Sequence, residues 1–477
     1  MELPTIPVTE IGGLIGDEWR HRGDHLPLET PLDGQVVAQI YFSSVDEVDE
    51  AVRFANSAAV GWWAKPAYER AGYINRLAGL VADRIDDFAL QMSIETGRPL
   101  DEARGEVKRS ASTLRISAEE ATRITGEMVP MEAVAGGVGK LGFTLLTPVG
   151  VVGAITPFNA PLVTVCHKLG PALAGGNTLI LKPHLHGSGV ATLLAELIVQ
   201  AGFPPGVFQL VHGDAEVGRA LTTHPNVDFV NFTGSGKVAE AIIASAGLKR
   251  TLLELGGNAP TIVHHDANLA EATEQCAAAA FGLAGQSCIS TQRIYVHKDI
   301  AEPFAQGLVQ AAKARSYRSG PGVEGGTGPL LTESDALRVH DWIEEAVGAG
   351  SELLCGGGQD YTYVEPTVLS NVPSSARVLC DEVFGPVVSL IEYEDLNEAI
   401  RASNDSPWGL KAGVFTNSLD VALTAARALE FGAVNINATS RSRVDQEPSG
   451  GIKQSGWGKE GPRYAIREMM NVRMISL

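Results

Sequence analysis

Residues 149–161 read VGVVGAITPFNAP, an apolar, β-branched run that stops at a proline-flanked turn carrying Asn159. Such a run, bounded by turn residues, has the signature of a buried strand. The next hundred residues keep a regular beat. A helical stretch at 162–173 leads to NTLILK (177–182), one at 189–201 to GVFQLVH (206–212), and one at 215–222 to VDFVNFT (227–233), with a further helix at 237–246. Strands alternating with helices build a doubly wound parallel sheet, because each helix carries the chain back over a face of the sheet. Beyond residue 257 the alternation repeats. PTIVHH, a helix at Leu269–Phe281, QRIYVH, helices beginning at Ala301 and Asp335, VVSLIEY, a helix at 396–402, AGVFT, a helix at 418–429 and AVNIN succeed one another. At 477 residues the chain is also too long for one core of ordinary size. The fold class is therefore α/β, with two doubly wound parallel-sheet domains.

The flanks differ. Residues 1–45 alternate short apolar runs with Gly, Pro and Asp, which predicts edge strands and loops. Helical periodicity covers 45–59, after Ser43 and Ser44, then 68–91 and 101–122. At 127–146 two short β-rich runs flank AGGVGK (135–140), which reads as a hairpin. As a phosphate loop it fails twice, since Val134 stands where Gly is needed and Leu141 where Ser or Thr is needed.

The chemistry is concentrated at 281–294, FGLAGQSCISTQRI, where Cys288 sits among small residues. Gly282 and Gly285 let a substrate and the main chain approach the sulfur. A lone cysteine is more often a small buried hydrophobe, so its company decides. LLELGGNAP (252–260) places Glu254 in an apolar run, as either a paired structural acid or a base tuned by burial. Asn159, at a strand end, offers an amide of the kind an oxyanion hole uses. Nucleophile, base and oxyanion donor are the three roles of one acyl-transfer site.

With these pieces in view, the sequence resembles the NAD(P)-dependent aldehyde dehydrogenase superfamily. The resemblance rests on TPFN (156–159), LKP (181–183), FTGS (232–235), LELGG (253–257), GQSC (285–288), EVFGP (382–386) and PSGGIKQSGWGKEG (448–461). They occur in the family's order over nearly the whole chain, and Glu254 and Cys288 keep the family's spacing of 34 residues. The resemblance implies that Cys288 attacks an aldehyde, giving a thiohemiacetal and then a thioester. It also implies that Asn159 and the Cys288 N–H hold the oxyanion and that Glu254 activates the water releasing a carboxylic acid. Relatives that pass the acyl group to coenzyme A usually lack that acid, so a hydrolytic enzyme is expected. By the same resemblance, residues 1–125 and 149–256 form the cofactor-binding domain, 257–450 the catalytic domain, and 126–148 with 462–477 a β-hairpin oligomerisation arm.

The cofactor residues implied are Thr156, Pro157, Phe158, Lys182, His184, Gly234, Ser235, Leu255, Glu382 and Phe384. Phe232–Ala239, FTGSGKVA, is an imperfect glycine fingerprint, with Ala239 at the place of the third Gly. Many NAD-preferring relatives carry Glu three residues after the Lys of LKP; here Leu185 stands there, so NAD or NADP is expected without a preference. His184 and His186 have no third convergent ligand, and no metal is expected.

For the substrate, succinate-semialdehyde relatives tend to have Arg at the positions held here by His167 and Gly282, and glyceraldehyde-3-phosphate relatives often have Arg at the position of Ser287. The remaining candidates are Arg441 and Arg443, in a loop near the family's substrate entrance, as anchors for an anionic tail or as solvated loop charges. Phe158 and Phe281 are the alternative, as an apolar tunnel lining.

The bulk figures agree. With 44% hydrophobic and 19% charged residues this is an ordinary globular composition, and a net charge of −19 argues against nucleic acid or an anionic membrane as partner. An odd number of cysteines, 5, points away from a disulfide framework. No basic, then apolar leader opens the chain, and no apolar run reaches membrane-spanning length. A cytoplasmic enzyme with a small-molecule aldehyde substrate is expected, assembled as a homodimer or homotetramer because a projecting hairpin and C-terminal strand leave edges to cover. Two other classes are a cysteine-dependent esterase and a non-catalytic binding protein on the same scaffold. The joint presence of Asn159, Glu254, Cys288 and Glu382 argues against the second.

Overall fold

The computed structural model describes residues 6–317 and 326–477. Residues 1–5, which open the stretch read for edge strands and a leader, and 318–325, inside the span of the second domain, lie outside the described residues.

The strand–helix alternation is observed. The first sheet has eight strands, in the order 456–457, 250–254, 229–233, 151–155, 178–182, 208–210, 13–15 and 18–20. Its five central strands run parallel. Val151–Ile155 and Thr178–Lys182 are buried almost throughout, as a parallel sheet covered on both faces requires. One face carries Leu114, Leu169 and Leu194 from the helices Leu100–Ala121, Val163–Ala174 and Ser188–Gln200. The other carries Val48, Leu221 and Ile242 from Val45–Trp63, Ala215–Thr223 and Gly236–Ser245. The strand order reverses between Val151–Ile155 and Phe229–Thr233, which makes the crevice at their carboxyl ends the natural ligand position. Register sets that edge: Ile155 lies opposite Lys182, and Thr233 opposite Glu254.

The second sheet has seven strands, in the order 352–355, 367–370, 387–393, 291–297, 259–263, 411–415 and 433–436. Leu269–Phe281 and Ala301–Ala314 cover one face, and Leu396–Asn404 and Leu419–Ala428 the other. Cys288 precedes Thr291–His297, and Glu382 precedes Val387–Tyr393. The carboxyl edge of the first sheet therefore contributes to the same region as the amino edge of the second.

A third, antiparallel sheet joins Met128–Val129, Gly142–Pro148 and Met470–Ser476. The expected hairpin is present, but its first strand is short and its connection runs through two turns of 3-10 helix. Val472 and Met474 on this sheet are exposed. Pro462–Glu468 is helical, and its Ala465 and Ile466 lie in the core of the first sheet.

The helix expected at 68–91 is two, Ala67–Asp83 and Ile85–Thr96. Arg84 leaves helical geometry at φ −116°. Asp86 and Asp87 favour a fresh N-terminus, and the Arg84 guanidinium bonds Asp87 at 2.7 Å. Among the described residues, no helix is long and apolar enough to cross a membrane.

Phe281 is fully buried in the core of the second sheet, with Val263, Phe304 and Val388. The expectation that it lines a substrate tunnel is therefore corrected: it is the last helical residue before the catalytic turn and faces inward. Phe281→Ala should cost about 3–5 kcal/mol, read as a lower midpoint in urea unfolding.

Candidate active site

The turn that presents Cys288 is built against its own preferences. After Phe281 the chain passes through Leu283, Ala284 and Gly285 with φ of 55°, 52° and 70°. Left-handed backbone costs a non-glycine residue about 1–3 kcal/mol, so the neighbours must hold it. They do. Gln286 accepts from the Leu331 N–H at 3.0 Å and donates to the Pro329 carbonyl at 3.1 Å. Glu102 accepts from the Leu283 N–H at 3.1 Å. A Cβ at Gly285 would lie 2.0 Å from the Gly385 carbonyl, so only glycine fits there. The Ser287 hydroxyl accepts from the Ile289 N–H at 3.4 Å.

Across from this turn, the Asn159 amide donates to the Gln286 carbonyl at 2.8 Å. An amide has two N–H bonds, and the other is left for a ligand. The Asn159 carbonyl accepts from Arg98, whose guanidinium also pairs with Glu106. Glu106 in turn accepts from the Leu162 and Val163 N–H groups at 2.9 and 3.1 Å, the open amides at the start of Val163–Ala174. TPFN is thereby clamped between helix and guanidinium.

The electrostatics separate the carboxylates. Burial, then Glu460, pushes Glu254 well above its ordinary value, with Arg443 and Lys168 opposing, and its Oε1 is buried without a partner. Burial acts the same way on Glu460, but Lys168, His167 and Arg443 hold it well below. Lys168 reaches Glu460 at 3.3 Å, Asn231 at 2.8 Å and Thr233 at 2.7 Å. Cys288 is pushed up to about 12 by burial and then by Glu382 and Glu254, with Arg443 pulling the other way.

The first sheet's edge offers a cradle for a nicotinamide cofactor. The Thr156 hydroxyl is buried there without a partner. Glu382, raised to about 7 by burial, accepts from the Gly257 N–H at 2.9 Å, and a Cβ at Gly256 would strike it. Phe158 packs edge-on to Phe384 at 6.1 Å and against His184 at 5.2 Å. Lys182 is lowered to about 8 by burial, with Asp214 opposing. His184 is lowered to about 3 by burial and accepts from the His186 N–H at 3.1 Å, so it brings no positive charge near neutral pH. Ser235 caps Gly236–Ser245, Gly234 donates to the Glu254 carbonyl, and Leu255 donates to Ser455 beside the same strand end. Among the described residues, no group of His, Cys, Asp and Glu is placed to hold a metal.

Comparison with known proteins agrees with this geometry. The model of the aldehyde dehydrogenase family matches residues 19–475. The chain belongs to the aldehyde dehydrogenase family. It is 42% identical over 471 residues to a 3-sulfolactaldehyde dehydrogenase of Priestia aryabhattai, covering 98% of each chain. It is 36% identical to a succinate-semialdehyde dehydrogenase (NADP(+)) of Escherichia coli K12, covering 97% of each. The crystal structure of aldehyde dehydrogenase 21 from Physcomitrella patens, in complex with the reaction product succinate, superposes with a TM-score of 0.96 at 33% identity and covers 99% of both chains. The chain is thus an NAD(P)-dependent oxidoreductase acting on an aldehyde.

In this aldehyde dehydrogenase the charges of Glu254 and Glu382 act on Cys288, Asn159 bonds the carbonyl two residues before it, and Phe158 packs on Phe384. His167 does not reach a ligand. Its ring is 1% exposed and lies 2.9 Å from Asp445 and 3.0 Å from Glu460, so the expectation of a substrate contact is corrected to a buried contact with these two carboxylates. Arg443 donates to Glu460 at 3.1 Å, and Arg441 to the Ala278 carbonyl at 2.9 Å. Sequence reasoning missed Arg98, Lys168, Gln286 and Glu460. Only Lys168 carried a signal, as a charge inside an apolar run.

The neighbours of the thiol make its titration a test. The charge of Glu254 opposes ionisation of the Cys288 thiol, and that of Arg443 favours it. Glu254→Gln should therefore move the pH midpoint of Cys288 alkylation in the cofactor-free protein to lower pH, and Arg443→Gln should move it to higher pH. Iodoacetamide labelling followed across pH by mass spectrometry reads both shifts.

Proposed function

We propose that this enzyme oxidises a short aldehyde carrying an acidic tail to the carboxylic acid, with Cys288 as nucleophile, Asn159 as oxyanion donor and Glu254 as general base. The observation that carries the reading is the convergence of the three. The Asn159 amide meets the carbonyl two residues before Cys288, and Glu254, whose charge acts on the Cys288 thiol, is a buried carboxylate with a raised pKa and an unpartnered oxygen. The acidic tail is supported by the names of the relatives, which act on sulfolactaldehyde and succinate semialdehyde or carry succinate.

The Cys288 sulfur adds to the aldehyde carbon, giving a thiohemiacetal whose oxygen faces the free N–H of Asn159 and the Cys288 backbone N–H. Preorganised donors of this kind contribute a few kcal/mol each, because they need no reorientation as charge develops. The thiohemiacetal carbon then loses its hydrogen as hydride and becomes the thioester carbon; a bound nicotinamide would supply the acceptor. Thr156, Pro157, Phe158, Lys182, His184, Gly234, Ser235, Leu255, Glu382 and Phe384 would hold it, as either NAD or NADP. Glu254 takes a proton from water as the oxygen attacks the thioester carbon. The C–S bond breaks, the acid leaves and the thiol is restored. A carboxylate with a raised pKa is the stronger base for that step.

We further assign 6–125 and 149–256 to the cofactor-binding domain and 257–450 to the catalytic domain. The sheet of Met128–Val129, Gly142–Pro148 and Met470–Ser476 serves as the arm of a cytoplasmic homo-oligomer, dimer or tetramer. Its exposed Val472 and Met474 support this reading.

Glu254→Gln should leave the first oxidation intact and stall the second half. The expected record is one equivalent of reduced nicotinamide per Cys288, a trapped acyl-thiol adduct by mass spectrometry, and a steady rate lower by about 10²–10⁴-fold. Full turnover in that variant would remove Glu254 from the role. Asn159→Ala should lower kcat by about 10²–10³-fold.

A further inference from the structure

The two arginines of the 439–445 loop are two residues apart and meet different surroundings. Arg443 is enclosed by charge. It donates to Glu460, contacts the His167 ring at 3.1 Å, and lies 3.9 Å from Asp445. Its charge balances the buried carboxylates around Glu254. Arg441 turns the other way. Among the described residues its guanidinium makes one hydrogen bond, to the Ala278 carbonyl, and no carboxylate pairs with it. Among the described residues, the acid whose charge acts on it is Glu102, which is already bonded to the Leu283 N–H. Arg98 and Arg315 add further positive charge to the same corner.

The place of this guanidinium is the unusual part. A Cβ built on Gly282 would lie 1.7 Å from its terminal nitrogen, Nη1. Gly282 opens the turn that carries Cys288, and its backbone, at φ −60°, is one any residue adopts. No conformational need for glycine exists there; the space does. The guanidinium sits in that space at the C-terminal end of Leu269–Phe281, where the helix dipole favours a cation.

We infer that Arg441 selects the acidic tail of the aldehyde, and that Gly282 is the void that admits its guanidinium to the catalytic turn. This rests on the reading of the substrate as a short anionic aldehyde. A planar guanidinium with free N–H pairs matches the oxygens of a carboxylate or a sulfonate in a fork geometry that a lysine does not reproduce. Recognition of the tail therefore comes from a loop distant in sequence, and position 282 contributes by having no side chain.

The test uses three aldehydes of one length: 4-oxobutanoate, 3-oxopropane-1-sulfonate and butanal. The natural protein should favour the two anions over butanal in kcat/KM, and their ratio should tell carboxylate from sulfonate as the preferred tail. In Arg441→Gln the anion-to-butanal ratio should fall by about tenfold or more, with the loss in KM rather than kcat. Gly282→Ala adds a methyl that meets only the tip of a flexible side chain, so the fold is kept while the guanidinium is displaced. It should lower the ratio in the same way, and it carries the test if Arg441→Gln fails to fold. The double variant Gly282→Arg with Arg441→Gly, which returns a guanidinium to the same space from the other backbone, should recover the ratio. Calorimetric binding of propane-1-sulfonate should weaken in parallel, without any turnover. A natural protein with no preference for anions would overturn the substrate reading and this inference together. A clear preference that survives both single variants would overturn this inference alone.

Discussion

A hydrogen bond from the Asn159 amide to the Gln286 carbonyl joins the two doubly wound sheets at the place where the chemistry is proposed. Each partner is fixed from behind. Asn159 is held through its own carbonyl by Arg98, and Arg98 through Glu106 to the start of a helix in the first sheet's layer. Gln286 is held by Leu331 and Pro329 in the second. The bond matters less for its own energy, about 1 kcal/mol net, than for its position. It sets the distance between a strand end of the first sheet and the thiol of the second. A nucleophile on one body and an oxyanion donor on the other are useful only if that gap is reproducible to well under an ångström.

Around that joint the protein buries more charge than stability alone favours. Lys168 is fully buried, as are His167 and Glu460 beside it. Removing one partner of such a group costs about 3–5 kcal/mol, yet an apolar replacement of the whole set is often neutral. Stability is therefore a poor reason for the cluster to exist. Its effect on Glu254 is a better one. The cations pull Glu460 down, and the remaining negative charge, with burial, pushes Glu254 up. Two carboxyls driven apart in this manner divide the labour, one as fixed charge and one as proton acceptor.

The parts of the molecule set by local pattern were legible. Leu269–Phe281 was delimited to the residue, because Asn268 caps it and Gly282 ends it. The strand bearing Asn159 and the strand bearing Glu254 were placed from their apolar runs alone. The resemblance then aligned Cys288, Glu254 and Asn159 as one site. Most of what was not legible depends on long-range contact, and the helix break is the local exception. The break at Arg84 reflects a local contest between two helix starts inside one periodic pattern, and periodicity reads straight through it. Phe281 looked like a tunnel wall because it neighbours Cys288 in sequence, but the residue at a helix end points where the helix face points, into the core. His167 occupies a position where some relatives place a substrate ligand. Only the fold shows that Asp445 and Glu460, nearly three hundred residues away, enclose both of its ring nitrogens.

The relation between Gly282 and Arg441 extends that lesson. Read along the chain, position 282 has lost a basic side chain that some relatives carry, and the loss points toward a neutral substrate. Read in space, a guanidinium stands at that position, delivered by a loop more than a hundred and fifty residues later. A glycine and an arginine that each look unremarkable alone form one unit when the volume of one is the absence of the other. Sequence comparison by column registers two independent differences, whereas physical space registers an exchange of backbone origin for the same charge. Binding depends on where the N–H groups are and on what else competes for them, and on both counts Arg441 stands apart from Arg443. Among the described residues the first has one neutral acceptor, and the second is already surrounded by carboxylates.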